Sequence, residues 1–546
     1  MSASKTKSRD YESLASRAAK NGGASGDQST LKSLASVKNE KSGEQQIRHA
    51  QGLKNSIRIS EAQRAKVSEE TEISESAETV RAEVVAAAPA ENRAPEIPST
   101  YADQQKIRKK EKLAEKDSRL ITSDRWIGRN GHALTYVGLY AFSILVLFRP
   151  YELVPGLGFL ASTAFYVAAL TLLVFIPTQL STEGSMTAFP TEVKCVLAMT
   201  LLAIVTIPIG KYPGGSYEVF KDVFIKSVLM FIVMVNVLRT RRRLEGVMWL
   251  SLGVGVILSY TAVGMYLRGE LKSDRVMVEI GGMFGNPNDM ALHLVTMMPI
   301  AVGLALGAKS RLTRLLYFAI AGIFVAGNMV TFSRGGFLGL IVSSAVLAWK
   351  LGRKQRLNVI LASTVIGGLT ILLAPGNYGL RILSILYPAL DPVGSSDQRR
   401  ELLSRSIWVS IRNPWGIGIG NSPIMNDYNL QTHNAYTQVS SELGILGFVA
   451  YVIFIVSPFR KLAAIERTLI TEDRRDWFYY LSIGLQASIA GYMVSSFFVS
   501  VAYNWFIYYL IAYAVAFRRI YRLENEAQTN EAEQTASLGE LETARI

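Results

Sequence analysis

Cysteine and histidine are scarce in this 546-residue chain, and their scarcity limits its chemistry. Cys195 is the only cysteine, which excludes an intrachain disulfide and argues against a cysteine-based metal site. The four histidines are His49, His132, His293 and His433. A disulfide framework or a cysteine-based metal site therefore does not explain what the chain does.

Charged residues are nearly missing from long stretches between residues 133 and 518. Hydrophobic residues make up 49% of the chain, and the mean hydropathy is +0.21. Crossing a bilayer requires roughly 20 apolar residues in a helix. The pattern predicts an all-α polytopic membrane protein with about twelve spans. They are expected near 133–148, 159–177, 193–209, 221–238, 246–266, 288–306, 314–332, 335–350, 358–374, 435–456, 478–498 and 502–518.

Residues 1–125 have the opposite composition, with abundant Ser, Ala, Glu, Lys and Arg and very few aromatics. Such a segment buries too little apolar surface to offset its ordering entropy, so we expect a disordered cytoplasmic extension. Its start has no apolar stretch, so no secretory signal peptide is expected. The membrane domain then covers 126–522, and a mobile cytoplasmic tail covers 523–546.

Lys and Arg recur in alternate loops, which predicts that both termini are cytoplasmic. The loop near 178–192 is the exception. This distribution explains the formal charge of +14 better than nucleic-acid binding does. The same topology places a long loop, 375–432, on the periplasmic side before the tenth helix. Its segment RRELLSRSIWVSI is amphipathic at helical spacing, and NPWGIGIGN supplies turns.

Several arginines lie on the outer side, against the positive-inside trend. Arg334, in TFSRGG, stands at a membrane edge, where a charge costs about 3 kcal/mol and normally faces a cavity or partner. Arg275, Arg399 and Arg400 share this side. A guanidinium suits a diphosphate because it donates two parallel hydrogen bonds and stays charged. Interfacial snorkelling of Arg334 and a solvated helix face for Arg399 and Arg400 remain the alternatives.

His433 stands in QTHNAYTQVSSELGILGF, where the outer loop enters a helix. At helical spacing, His433, Thr437 and Ser440 form a polar stripe running into the membrane. A near-neutral imidazole is the usual group for accepting a proton from a hydroxyl. The alternative is that His433 caps or packs the helix end.

A third polar group opens the helix in GGMFGNPNDMALHLVTMMP. Asn286, Asn288 and Asp289 stand at its outer end, and Asp289 should touch His293 at i, i+4. An Asp–His pair within the membrane predicts a functional site. Ordinary helix capping by the asparagines is the alternative.

Four stretches in this order resemble the O-antigen ligase/polymerase superfamily. They are FGNPNDMALHLVTMMP, TFSRGGFLGL, RRELLSRSIWVSIRNPWGIGIGN and THNAYTQVSSELGILGF. The resemblance covers roughly residues 130 to 518. It implies a GT-C-like fold and an inverting glycosyl transfer that uses no metal or cofactor. The donor would be a glycan on undecaprenyl diphosphate, at the outer face of the bacterial inner membrane.

The resemblance also implies roles for individual residues. Arg334 would be the SRG arginine, and Arg399 or Arg400 the loop arginine that binds the diphosphate. The expected catalytic residues are His433, Arg334 and Arg400, with Arg399 as a substrate contact. His433 would accept the proton of the acceptor hydroxyl. Further substrate contacts are expected from Asn434, Tyr436, Ser333, Asn286, Asn288, Asp289 and Arg275.

The acceptor and the reaction subtype stay open at this point. A glycan, a lipid A-core or a protein hydroxyl could receive the chain. A polymerase of the same superfamily would extend a glycan still attached to its lipid. A polysaccharide or lipid transporter is the alternative from another class, and a scaffold recruiting partners through 1–125 is a third.

Overall fold

The computed structural model describes residues 126–148, 156–157, 160–183, 186–271, 275–278, 284, 286–353 and 395–543. These ranges contain fourteen α-helices, in agreement with the helical architecture that the sequence predicts. The predicted span 358–374, the predicted extension 1–125 and the first part of the long loop lie outside the described residues. In chain order, the helices are α1 (Trp126–Leu147), α2 (Leu160–Glu183), α3 (Thr191–Ile209), α4 (Pro213–Val219), α5 (Ile225–Val237), α6 (Arg241–Leu267), α7 (Pro287–Gly307), α8 (Arg311–Val330), α9 (Arg334–Leu351), α10 (Ser395–Arg412), α11 (Ala435–Glu442), α12 (Gly444–Thr471), α13 (Trp477–Ser495) and α14 (Trp505–Thr543).

Seven of the described helices are long and apolar enough to cross a membrane: α3, α6, α7, α8, α9, α12 and α13. Shorter apolar stretches occur at Gly131–Leu147 and Tyr166–Ser181. Two further predicted spans, 221–238 and 502–518, are helical but are not among the seven helices that are long and apolar enough to cross a membrane. The span at 221–238 is divided by a π-helical turn, Phe220–Phe224, and α14 carries three arginines among its first eighteen residues. The chain is thus an all-helical multi-pass membrane protein.

A row of small residues on α13 lets this helix approach its neighbours closely. A β-carbon added at Gly484 would lie 2.7 Å from the Pro299 carbonyl oxygen, and one at Gly303 would lie 2.9 Å from the Tyr480 carbonyl oxygen. Ser488 donates a hydrogen bond of 2.6 Å to the Thr296 carbonyl. Small residues and interhelical hydrogen bonds are what drive helix association in lipid. The α7–α13 pair therefore forms the centre of the bundle.

The same row of α13 continues to α9. A β-carbon on Gly491 would lie 2.8 Å from the Val295 side chain and 3.1 Å from Ser343. Ser495 donates a hydrogen bond of 3.1 Å to the carbonyl of Gly335, the second residue of α9. The end of α13 thereby fixes the start of α9, where Arg334 stands. We call this end of the bundle the site end.

Two buried glutamates tie the helices together at the opposite end, which we call the basic end. Glu192 of α3 accepts two hydrogen bonds of 2.9 Å from Arg518 of α14 and one of 3.2 Å from Lys461 of α12.

Glu466 of α12 accepts hydrogen bonds of 2.6 Å from both Lys350 and Arg353, on and just beyond α9. Glu192 and Glu466 are both fully buried. Buried carboxylates require such partners, and removing one partner is strongly destabilising. The sequence indicated these basic residues only as evidence for membrane orientation. In the structure they also link the helices through the two buried glutamates.

The predicted amphipathic helix of the long loop is confirmed as α10, and the predicted turns follow it. The chain returns from α10 onto the end of α11 through backbone hydrogen bonds from Ile417 to Ser441 (2.9 Å) and from Gly418 to Glu442 (3.1 Å). Gly416 has φ 91°, and a β-carbon there would lie 2.4 Å from the Glu442 carbonyl. Only glycine fits this close approach.

The predicted tail, 523–546, begins within the last helix. Helix α14 continues without interruption from Trp505 to Thr543. The tail has no proline that would end a helix.

Gly484→Ala should lower the thermal unfolding midpoint of the purified protein, because overpacking against the Pro299 backbone costs about 1–3 kcal/mol. Gly322→Ala is the matched control, since a β-carbon at Gly322 of α8 meets nothing within 4 Å. The control should keep or slightly raise the midpoint through helix propensity. Equal midpoints for the two variants would contradict the close α7–α13 contact.

Candidate functional site

The N-termini of α7 and α9 are joined by a chain of polar side chains. Asn286 caps α7 by accepting a hydrogen bond of 3.0 Å from the Asn288 backbone. Ser333 donates a hydrogen bond of 2.8 Å to the Asn288 side chain and, as the cap of α9, accepts one of 3.1 Å from Gly336. Ser333 is 1% exposed. These contacts are those of the capping alternative, and they fix the start of α9, where Arg334 stands.

Arg334 is the first residue of α9 and is partly exposed at the site end. The next residue, Gly335, packs so closely on Phe498 that a β-carbon would lie 2.7 Å from it. Its carbonyl accepts the hydrogen bond from Ser495. The segment 495–500, between α13 and α14, therefore holds the backbone beside Arg334.

The same segment holds the backbone beside His433. The hydroxyls of Thr432 and Ser500 share a hydrogen bond of 3.0 Å. Asn434 then caps α11 by accepting hydrogen bonds from Tyr436 (2.9 Å) and Thr437 (3.0 Å). Because both α9 and α11 start against segment 495–500, the structure brings the Arg334 and His433 regions to one end of the bundle.

His433 itself has a left-handed backbone, with φ 52°. Such a conformation in a non-glycine residue costs about 1–3 kcal/mol and persists only where the surroundings impose it. The residue precedes the cap of α11, so it is not part of that helix. The predicted stripe of His433, Thr437 and Ser440 is wrong for this reason, and Ser440 instead shares a hydrogen bond of 2.8 Å with Ser410 of α10.

Two of the predicted arginines act on the His433 imidazole. The pKa of His433 is lowered to about 4, first by burial and then by the positive charges of Arg399 and Arg275. The imidazole is therefore neutral at physiological pH. Arg399, Arg275 and His433 are thus brought together at the site end.

The neighbouring residues Arg399 and Arg400 lie on different faces of α10. Leu402, Ser406 and Val409 form the buried face of α10, and Arg399 precedes Leu402 by one helical turn. Arg399 is partly buried, whereas Arg400 is exposed on another face. The geometry therefore favours Arg399 as the arginine of the site, where the sequence left the choice open.

Tyr436 is used for packing. Its hydroxyl donates a hydrogen bond of 2.9 Å to the Met493 carbonyl, and its ring stacks on Tyr451 and Phe497. The hydroxyl is thus committed to holding α11 against α13. The hydroxyl oxygen also accepts a hydrogen bond of 3.5 Å from Ser496.

The predicted contact between Asp289 and His293 is not formed. Nε2 of His293 lies 3.0 Å from the Ser251 carbonyl oxygen of α6, and the ring packs between Phe284 and Phe506. His293 is 4% exposed and lies one turn deeper in α7 than Asp289. The imidazole is a core residue, and the predicted Asp–His pair is not present.

Glu442 is a site-end residue that the sequence reasoning did not single out. It is fully buried at the end of α11, where its carboxylate accepts a hydrogen bond of 3.2 Å from the Ser422 backbone. Burial raises the pKa of Glu442, and hydrogen bonds from Gly420, Ser422 and Tyr503 oppose this rise. A lone carboxyl in the apolar stretch SSELGILG was the available signal.

Within the described ranges, no group of three His, Cys, Asp or Glu side chains could hold a metal ion. Among the described residues of the site end, Asn434 Nδ2 and Glu442 Oε2 are buried without a hydrogen-bond partner. The side-chain nitrogen Nδ2 of Asn434 is buried and unpaired, although its oxygen caps α11. A buried donor without a partner normally has a ligand or water to bind.

Residues 316–452 match the family model described as O-antigen ligase. This stretch of the chain is similar to the O-antigen ligase family. The match runs from within α8 into α12 and so includes Arg334, Arg399 and His433, whereas the FGNPND motif lies before it. The superfamily resemblance seen in the sequence is thereby confirmed. No curated protein matches the chain.

Arg399→Ala should raise the pKa of His433, because a nearby positive charge that opposes protonation is removed. The pKa is measurable by NMR titration of the protein with isotope-labelled histidine, assigned through His433→Gln. Arg400→Ala is the matched control and should leave the titration unchanged. If only Arg400→Ala shifted the pKa of His433, Arg400 rather than Arg399 would lie beside the imidazole, and the assignment would be wrong.

Proposed function

We propose that this chain transfers a glycan from an undecaprenyl-diphosphate-linked donor to an acceptor hydroxyl. The observation that carries the proposal is the neutral His433 imidazole, held in a left-handed backbone beside Arg399 and Arg275 at the end where Arg334 begins α9. A proton acceptor among several guanidinium groups matches the needs of transfer from a diphosphate leaving group.

The arginines are assigned to the donor. As the bond between the sugar C1 and the diphosphate oxygen breaks, negative charge grows on the diphosphate, and Arg334 and Arg399 stabilise it. Arg275 adds to the positive potential around the same group. Guanidinium groups bind phosphate oxygens in pairs of parallel hydrogen bonds. Because they supply the positive charge, the proposed reaction is metal-independent and requires no cofactor.

His433 is assigned to the acceptor. The acceptor oxygen attacks C1 from the face opposite the diphosphate, which inverts the configuration, and its proton passes to the imidazole. A pKa of about 4 makes His433 a weak base. Binding of the diphosphate anion would offset the charges of Arg399 and Arg275 and raise this pKa. The base would thus be activated only when the donor is present.

The buried Nδ2 of Asn434 is proposed as a hydrogen-bond donor to a substrate oxygen, since it is unpaired one residue from His433. Asp289 is partly exposed. It stays a candidate for acceptor contacts at the start of α7.

The site end is proposed to face the periplasm of a bacterial cell, across the inner membrane. The basic end carries Lys350, Lys461 and Arg518, together with the loops rich in Lys and Arg, and cytoplasmic ends are enriched in such residues. Both termini would then be cytoplasmic. We further propose the twelve-span, GT-C-like arrangement, with 375–432 as the periplasmic loop.

Purified protein in EDTA should transfer glycan from a lipid-linked donor, and His433→Ala and Arg334→Ala should each reduce the rate by about 10²-fold or more. Arg399→Ala should have a larger effect than Arg400→Ala, its matched neighbour. Unfolding midpoints of all four variants serve as the control for folding. Wild-type rates for His433→Ala and Arg334→Ala would remove the proposed mechanism.

The family description favours a ligase over a polymerase. Analysis of the glycans in a deletion strain distinguishes the two activities. A lost ligase should leave long glycan chains on the lipid carrier, with none on lipid A-core, protein or another acceptor. Single repeats on the carrier would instead indicate a polymerase. Normal glycan together with defective lipid flipping in proteoliposomes would favour the transporter alternative.

A further inference from the structure

Helix α10 has two apolar faces, and only one of them is used inside the protein. Leu402, Ser406 and Val409 are buried on the bundle side. A second apolar surface, which we call the outer row, remains exposed on the other side. It comprises Ile407 (45% exposed), Trp408 (58%), Ile411 (65%) and, just beyond the helix, Trp415 (72%).

The composition of the outer row is typical of a membrane interface. Large exposed apolar patches mark surfaces that bind something, and Trp is enriched where bilayer meets water. The Arg412 guanidinium lies 5.6 Å from the Trp408 ring centre. Arg400, exposed two turns before Ile407, lies on the same side of α10. Arginines with apolar stems and charged ends suit a layer of phosphate headgroups.

The outer row is also continuous with a surface that already faces lipid. The turn after α10 is hydrogen-bonded to the start of the membrane-spanning helix α12, through the Ile445 backbone and the Pro414 carbonyl at 2.9 Å. The first turns of α12 expose Ile445 (53%), Leu446 (57%) and Val449 (46%). Trp415 thus stands at the level where α12 leaves the membrane.

We propose that the outer row of α10 inserts into the bilayer leaflet at the site end, at the depth of the boundary between headgroups and acyl chains. The bilayer is favoured over a second copy of the chain because the row continues the lipid-facing surface of α12. Amphipathic helices of this kind lie in the interface with the apolar face about 5–10 Å deep.

Insertion would set the height of the site. Arg399, on the inward side of α10, and His433 would then stand at the level of the lipid headgroups. A phosphate group anchored to a membrane lipid lies at this level, so it could reach Arg399 without leaving the bilayer. Arg400 would contact headgroups of the surrounding lipids instead. The insertion of α10 does not depend on the proposed reaction, and its test uses no glycan.

The test measures tryptophan fluorescence of the full-length protein in nanodiscs. The signal of Trp408 and Trp415 is obtained as the difference between wild type and Trp408→Phe/Trp415→Phe, which keeps the row apolar. Lipids brominated at acyl carbons 6 and 7 should quench this difference signal at least twofold, more than lipids brominated at carbons 11 and 12. Aqueous iodide should quench it several-fold less than free N-acetyl-tryptophanamide.

Trp349, 55% exposed near the end of the span α9, is the internal reference for lipid contact. Its signal, obtained from Trp349→Phe, should also respond to brominated lipid. Quenching of the outer row by iodide alone would show that the row is in water. If neither quencher affected the signal of Trp408 and Trp415, and this protection disappeared when each nanodisc held a single copy, a second copy of the chain would cover the outer row. Either of these two results overturns the proposal.

Discussion

The close packing of α13 against α7 and α9 is the contact on which the site depends. Gly484, Ser488, Gly491 and Ser495 present almost no side chain, so backbone meets backbone along most of the helix. This packing fixes the position of segment 495–500 at the end of α13. Because it contacts Gly335 and Thr432, residues separated by about a hundred positions in the chain are brought to one place.

The two ends of the bundle use positive charge differently. At the basic end, Arg518, Lys461, Lys350 and Arg353 neutralise two buried glutamates and connect α3, α9, α12 and α14. At the site end, Arg399 and Arg275 act on the neutral imidazole of His433. A positive potential around a neutral base favours an anionic ligand, whose binding relieves the potential. The fold thus separates charge used for stability from charge available to a substrate.

Features that depend on local sequence were predictable. Apolar run length gave the membrane helices, helical periodicity gave α10, and the glycines of NPWGIGIGN gave the turn after it. The asparagine caps at Asn286 and Asn434 follow from residue type and position. The order of the polar motifs was enough to indicate the superfamily, which the domain match at 316–452 confirms.

Features that depend on tertiary packing were not predictable. Helical spacing places Asp289 near His293, but the ring turns towards the Ser251 carbonyl of a distant helix. Spacing also continued α11 through His433, whereas the backbone there is left-handed. The choice between Arg399 and Arg400 required the burial of one face of α10. The partners of Glu192 and Glu466 lie far away in sequence, so no local pattern reveals them.

The central claim is that one site at the end of the bundle binds a lipid diphosphate between Arg334 and Arg399, beside His433. The most direct measurement is an electron cryo-microscopy structure with a non-transferable prenyl diphosphate analogue. The account predicts diphosphate density within hydrogen-bond distance of both guanidinium groups, with the prenyl chain leaving towards lipid at α10. Density for the diphosphate at the basic end, or contacting neither arginine, would contradict it.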